Sequence, residues 1–280
     1  MSEMSGYESA EVVKDPEGRQ YHIGLAPGEV APYVLLCGDP ARADRVARRF
    51  EGVRVERRNR EYVTYTGTWD GGELTVMATG IGCDNTEIAV IELAQCADRP
   101  TLLRIGTCGG LAPATQVGDL AISTGGVRLE NTSTWFVREG HAAVAHHEVV
   151  LALIEAASRG GVRFHVGLTA SASGFYGAQG REVPGFPPRF KDIDEELART
   201  GVVNLEMECS TLFTLAGLGG MRSGAVCVVY ANRRANQFIH PDRKLEAEAA
   251  AIETGLEAIR VLRAMDRARA SAPYWRPGPL

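Results

Sequence analysis

The chain has 280 residues, of which 45% are hydrophobic, so it can bury a large core and does not resemble a disordered segment. Its 30 basic and 35 acidic side chains give a formal charge of −5, and no dense Lys or Arg run could neutralise a row of phosphates, which argues against nucleic acid as a partner. No apolar stretch approaches the roughly 20 residues that span a bilayer, so we do not expect a membrane protein. The polar and acidic first residues lack the basic segment followed by an apolar segment that marks a secretory signal, so we expect a cytoplasmic protein.

Short β-rich runs alternate with longer helical patterns along the chain. The run at 33–38 precedes an Ala- and Arg-rich helical stretch, and a second run at 73–80 precedes another. Nearly continuous apolar runs, typical of central strands covered on both faces, follow at 101–107, 119–124, 165–173 and 223–231. Helical spacing of apolar residues predicts helices at 147–159, 192–199, 209–218 and 243–269. This alternation predicts one α/β domain over residues 1–280, built as a three-layer sandwich.

Three further segments have a distinctive composition. Residues 1–18 and 271–280 are linker-like, and we expect them to be flexible or ordered only against the body or a neighbouring subunit. Residues 174–190 are rich in Gly, Pro and aromatic side chains, which indicates a structured loop of the kind that often covers a site.

The cysteines and histidines do not indicate a metal site. The six cysteines show no CxxC pairing and mostly interrupt apolar runs, so we expect buried thiols with neither disulfides nor zinc. His141, His146 and His147 match neither one helical face nor a zinc motif, and we interpret them as surface side chains near a helix start.

The first candidate anion site is the turn Gly38-Asp39-Pro40, between a strand and a helix. Proline in the first turn sets a helix start, and outward-pointing amide groups at such a turn favour an anion, which Gly38 would allow to approach closely. Arg42 could close on that anion. The alternative is a plain capped helix with solvated arginines, and this segment alone favours the alternative.

A second cluster is the strand end from Arg104 to Gly110, where a charged residue interrupts an apolar run. A buried Arg104 needs a partner. Phosphate, bound by Arg104 and the Thr107 hydroxyl, and an internal carboxylate fit this requirement equally well. The glycine spacing is not GxGxxG, so we do not predict a dinucleotide site.

Two segments could bind a sugar and a base. Glu208 could accept hydrogen bonds from ribose hydroxyls beside an apolar contact from Met207, although Glu206 and Glu208 could equally be acids at a helix start. In the 174–190 loop, an aromatic ring, an amide and a guanidinium at Phe175, Gln179 and Arg181 suit a pyrimidine. Composition alone favours a solvated loop.

These segments together resemble the uridine phosphorylases of the nucleoside phosphorylase family. The matching motifs occur in the family's order and are YHIGL, CGDPARADRV, NREYVTYTG, ATGIGCDN, LLRIGTCGGL, TASASGFYGAQGR, NLEMECSTL and VVYANR. The resemblance implies that family's three-layer α/β/α sandwich, with a central mixed and largely parallel sheet.

The resemblance also implies site residues. Phosphate would be bound by Gly38, Arg42, Arg104 and Thr107, with Arg60 contributed by a neighbouring subunit. Ribose would be bound by Thr107, Met207, Glu208 and, across the same interface, His22. The base would be bound by Phe175, Gln179, Arg181 and the Glu206 region. Catalysis would depend on Arg181, Gln179 and Glu208.

The implied reaction is the reversible phosphorolysis of uridine, with deoxyuridine or thymidine as further candidates, to the base and ribose 1-phosphate. It would serve pyrimidine salvage without a cofactor, with inorganic phosphate as co-substrate. The implied assembly is a homohexamer built from active dimers. Some family members hold a monovalent cation at the dimer interface near the residues matching Glu61 and Ile81, but Asn85 stands where Ser is frequent, which leaves that site open.

Two alternatives remain at this point. The first is a purine nucleoside phosphorylase of the same fold. Purine enzymes of the family commonly have an Asp in the late strand, and here the region reads Tyr230-Ala231-Asn232-Arg233, without an acid. The second is a nucleoside-binding homologue without turnover. A hydrolase is less expected, because arginines that converge on one anion have no purpose when water is the nucleophile.

Overall fold

Strands and helices alternate through residues 9–277, the part of the chain that the computed structural model describes. The strands are β1 (Tyr33–Cys37), β2 (Gly52–Asn59), β3 (Tyr62–Trp69), β4 (Gly72–Ala78), β5 (Thr101–Gly110), β6 (Leu120–Leu129), β7 (Ala143–Val144), β8 (Phe164–Ala172), β9 (Val202–Glu206), β10 (Ser223–Asn232) and β11 (Gln237–Phe238). The helices are α1 (Pro40–Ala47), α2 (Cys83–Cys96), α3 (His147–Arg159), α4 (Ile193–Arg199), α5 (Cys209–Leu218) and α6 (Lys244–Arg269).

The apolar runs and the helical patterns of the sequence are confirmed as β1, β4, β5, β6, β8 and β10 and as all six of these helices. The hairpin of β2 and β3 was not predicted. Its first strand is rich in charged residues and largely exposed, so it lacks the apolar run of a central strand. Arg60 forms the turn with a φ of 53°, a left-handed conformation that is uncommon for residues other than glycine.

The described strands belong to one mixed sheet in the order β11-β10-β6-β8-β9-β5-β1-β4-β3-β2, with β7 beside β6. Parallel pairings join β1 to β4 and β5, β5 to β10, β6 to β8, and β8 to β9. Because β5 pairs with β10 as well as with β9, the strands β5, β10, β6, β8 and β9 close into a ring. The predicted layered sheet is therefore open on the β1 to β4 side and closed on the other.

Side-chain alternation along β5 separates the two helical layers. Leu103 and Ile105 face α6, which packs so closely that a side chain on Gly255 would come within 2.5 Å of Ile105. Arg104 points to the opposite face, where it meets the segment between β9 and α5. A charged side chain thus enters the interior from a strand whose other face packs Leu103 and Ile105 against α6.

All six cysteines are buried free thiols, as expected for small core side chains. Within residues 9–277 no helix combines the length and apolar character needed to cross a membrane. Near the end of the chain, the backbone N–H of Trp275 donates to the buried carboxylate of Glu148 at 2.8 Å, which ties this segment to α3. Residues 1–8 and 278–280 of the predicted flexible ends lie outside the described residues.

Candidate active site

A cavity of about 760 Å³ lies where β1, β5, β9 and β10 end. Ends of strands in α/β sheets are where ligands usually bind. All but two of the predicted site residues line this cavity, namely Gly38, Arg42, Arg104, Thr107, Phe175, Gln179, Arg181, Glu206, Met207 and Glu208. Residues that are far apart in the sequence therefore meet in one space.

The turn after β1 has the geometry of the predicted anion site. Asp39 caps α1, since its side chain accepts a hydrogen bond from the Ala41 N–H at 2.9 Å, and Pro40 starts the helix. A side chain on Gly38 would come within 3.1 Å of the Gly80 carbonyl oxygen, so these two backbone segments lie closer together than a residue other than glycine comfortably allows. The helix start is as the sequence predicts, whereas the close approach of an anion to Gly38 stays a prediction.

Arg42 and Arg104 are both buried and both bind carboxylates in this structure. Arg42 Nε donates to Glu248, and Arg42 Nη1 donates to the Ile105 carbonyl oxygen at 3.2 Å. Arg104 Nη2 donates to Glu208 at 2.5 Å and Arg104 Nε to Glu206 at 3.3 Å. The internal carboxylate pair considered for Arg104 is therefore present, and both guanidinium groups also line the cavity. We call Gly38, Arg42, Arg104 and Thr107 the anion end.

Glu206 is the most fully bonded acid of the site. Its carboxylate accepts hydrogen bonds from Ser171 Oγ at 2.5 Å, from the N–H of Glu208 at 2.8 Å and from the N–H of Cys209 at 2.9 Å, besides the bond from Arg104. Only 1% of its side chain is exposed, which leaves little room for a base. The geometry favours Glu206 as the residue that fixes Arg104 and the start of α5, and its predicted contact with the base stays a prediction.

Glu208 joins the anion end to the rest of the cavity. Besides Arg104, it accepts a hydrogen bond from the Gly82 N–H at 2.7 Å. Burial raises the pKa of the Glu208 carboxyl to about 7, although Arg104 opposes the shift. Burial likewise disfavours charge on Arg104, but the carboxylates of Glu208 and Glu206 hold its pKa well above the usual value. The carboxyl group is thus an acceptor whose charge depends on pH near neutrality.

The other end of the cavity is formed by the loop after β8, and we call Phe175, Gln179 and Arg181 the base end. The guanidinium carbon of Arg181 lies 4.1 Å from the centre of the Phe175 ring, and Arg181 Nη2 donates to Gln179 Oε1 at 3.4 Å. Arg233 Nη1 donates to the Gln179 carbonyl oxygen at 2.9 Å. Burial, followed by the charge of Arg233, lowers the pKa of Arg181. The predicted trio is brought together.

His22 and Arg60 are the two predicted site residues that do not reach this cavity. His22 Nδ1 lies 2.6 Å from Glu92 Oε1, and Arg60 Nη2 donates to the Tyr21 hydroxyl at 2.7 Å. Arg60 is exposed at the tip of its hairpin, where it is accessible to another subunit. Their location agrees with the expectation that they complete a neighbour's site, which stays a prediction.

Several residues of the site were not predicted, among them two that line the cavity and one that lies behind it. Phe238 and Gly80 line the cavity. Glu248 bonds Arg42 although the two residues are 206 positions apart. An acid at a buried position of an amphipathic helix was the one signal that could have singled out Glu248, because a buried carboxylate needs a cationic partner.

Residues 32–264 match the profile of the Phosphorylase superfamily, which covers most of the chain. The chain belongs to this superfamily. The family resemblance of the sequence motifs is thereby confirmed.

Several named proteins align with most of the length of this chain. A uridine phosphorylase of Thermococcus kodakarensis is 44% identical over 278 residues, which are 97% of this chain and 98% of that protein. A uridine phosphorylase of Escherichia coli K12 is 38% identical over 86% of this chain and 97% of that protein. A crystal structure of a Trypanosoma brucei nucleoside phosphorylase, described as showing uridine phosphorylase activity, superposes with a TM-score of 0.82 at 26% identity over 89% of this chain and 99% of that one. The predicted fold is confirmed.

Proposed function

We propose that this chain catalyses the reversible phosphorolysis of uridine to uracil and ribose 1-phosphate, with deoxyuridine and thymidine as further candidate substrates. The observation that carries the proposal is the meeting of the anion end, the acceptor Glu208 and the base end in one cavity of about 760 Å³. The names of the relatives support the choice of uridine over a purine nucleoside.

Phosphate would bind at the anion end. Arg42 and Arg104 supply fixed positive charge, Thr107 a hydroxyl, and the turn at Gly38 backbone N–H groups at a helix start. The ion pair between Arg104 and Glu208 makes the phosphate and ribose sites adjacent. This adjacency is what an attack of phosphate on the ribose C1' carbon requires, because holding both reactants in place removes most of the entropic barrier.

The ribose hydroxyls would be oriented by Glu208, with Met207 against the sugar. As the glycosidic bond lengthens, positive charge grows on the sugar and is stabilised by the adjacent phosphate. Negative charge moves onto the uracil carbonyl, where Arg181 and Gln179 would meet it. Arg181 holds its guanidinium against Phe175 and keeps a buried Nε that makes no hydrogen bond with the described residues. No covalent enzyme intermediate is required.

We infer that the active unit is at least a dimer, since His22 and Arg60 lie outside their own cavity. A hexamer of three dimers, a cytoplasmic location and a role in pyrimidine salvage complete the proposal. A monovalent cation at the interface stays a prediction. Its expected neighbours Glu61 and Ile81 line the same cavity, as does Asn85, the residue that departs from the family pattern.

The test follows the release of uracil from uridine with and without inorganic phosphate, and ribose 1-phosphate in the same sample. The proposal expects both products and a strict dependence on phosphate. Cleavage of inosine without cleavage of uridine would move the assignment to purines, and uridine binding without turnover would indicate a nucleoside-binding protein.

A further inference from the structure

Glu248 lies at the start of α6, and its carboxylate is almost completely buried. A buried carboxylate is costly unless cations and hydrogen bonds surround it. Glu248 meets this condition with two arginines of α1, because one oxygen binds Arg42 Nε and the other binds Arg45 Nη2 at 2.5 Å. Burial alone would raise the pKa of Glu248, but Arg45 and Arg42 lower it, so the carboxylate stays ionised.

These bonds determine which part of Arg42 is available to a ligand. Nε is bound by Glu248 and Nη1 by the Ile105 carbonyl oxygen, which fixes the plane of the guanidinium group. Nη2 makes no hydrogen bond with the described residues, and Arg42 lines the cavity. The free N–H groups are therefore held ready for an anion, and holding them costs nothing further when the anion arrives.

Arg45 completes the arrangement from outside the cavity. It is not among the described residues that line the cavity, and it occupies the second oxygen of Glu248. A carboxylate shared between two arginines cannot rotate without breaking both bonds. The second arginine thus keeps Glu248, and through it Arg42, in a single orientation.

We propose that Glu248 is a positioning residue for the phosphate step, which acts by holding Arg42 at the anion end with Arg45 as its second anchor. The proposal rests on the proposed phosphorolysis, since it assigns Arg42 to phosphate. It distinguishes two roles for an acid behind an anion site. A positioning acid improves phosphate binding through geometry, whereas an acid that acts only by charge opposes the anion.

Two variants separate these roles. Glu248→Asp keeps the charge but is one methylene shorter, so it cannot reach both arginines, and Glu248→Gln keeps the length but loses the charge. Both are expected to raise the KM for phosphate about tenfold while the nucleoside KM at saturating phosphate changes less than about twofold. Glu246→Gln, on the exposed side of the same helix, is the matched control and should match the parent chain.

Titration calorimetry with inorganic phosphate alone reports the same effect without any nucleoside, so it stands even if uridine is not the substrate. A phosphate affinity that is unchanged in Glu248→Asp and tighter in Glu248→Gln would overturn the proposal in favour of charge alone. Equal losses for phosphate and nucleoside, with a lower melting temperature, would overturn it in favour of a purely structural role.

Discussion

The two ends of the cavity are built in opposite ways. At the anion end, Arg42 and Arg104 are each 6% exposed, and each is bound by carboxylates that come from other elements. At the base end, Phe175 is 44% exposed and contacts Arg181 within a single loop. The anion end is therefore fixed by contacts between distant elements, whereas the base end combines contacts within its loop with one outside anchor, the bond from Arg233 to the Gln179 carbonyl oxygen.

This difference indicates that the anion end contributes to the stability of the fold, whereas the base end determines base preference. Changes at the anion end disturb buried charges and should affect folding as well as phosphate binding. Changes at the base end should affect turnover and base preference with little effect on folding, because loops tolerate variation that packed elements do not.

The largest effect is expected for Arg104→Met. The change leaves Glu206 and Glu208 buried without their shared cation, so the free energy of unfolding should fall by about 3–5 kcal/mol, and phosphorolysis should be lost. Urea unfolding followed by circular dichroism measures the loss. Arg243→Met removes an exposed arginine 3.9 Å from Glu246 and should cost less than about 1 kcal/mol. Equal stabilities of the two variants would contradict the contrast between the ends.

Arg181→Ala should show the opposite profile. Removing the cation that meets charge on the uracil carbonyl should lower kcat by about 10²–10³-fold, with the unfolding midpoint and the KM for phosphate nearly unchanged. Steady-state kinetics with each substrate varied in turn provides the measurement. Arg189→Ala, an exposed arginine in the same loop that contacts Phe190, serves as control. A parallel loss of phosphate binding would show that the two ends are not independent.

The junction of the two ends should respond to pH. The pKa of Glu208 is raised to about 7, so its carboxyl is ionised above that pH and protonated below it. Because the proposed ribose contact needs the ionised form, nucleoside affinity should be constant above pH 7 and fall about tenfold per unit below it. Nucleoside binding without phosphate, measured by calorimetry, isolates this group from the titration of phosphate. Glu208→Gln should bind weakly at every pH, and a pH dependence that survives in this variant would exclude Glu208 as its source.

The sequence predicts the two ends unequally well. The helix start at Asp39-Pro40 and the loop trio of Phe175, Gln179 and Arg181 are local patterns, and both appear where they were expected. The partners of Arg42 and Arg104 depend on which helices and strands become neighbours, and no local pattern encodes that. Arg104 shows this limit, since its burial could be inferred from the apolar run around it but its pairing with Glu206 and Glu208 could not.

The same limit applies to the fold. Apolar runs mark the central strands because both faces of those strands are covered. The closure of the ring depends on β10, which pairs with β5 on one side and β6 on the other. Both pairings join segments more than 100 residues apart in the sequence. The β2 strand was missed for the opposite reason, because an exposed edge strand needs no apolar run.

The smallest effect is expected from the exposed aromatic ring of the base end. Phe175→Leu keeps an apolar side chain but loses ring stacking, which contributes about 0.5–1.5 kcal/mol. The KM for uridine should therefore rise about two- to tenfold. The kcat and the unfolding midpoint should stay close to those of the parent chain. Phe186→Leu, in the same loop but not among the residues lining the cavity, should have no effect. A large loss of stability in Phe175→Leu would mean that the loop is fixed by the core after all, and that the two ends are built alike.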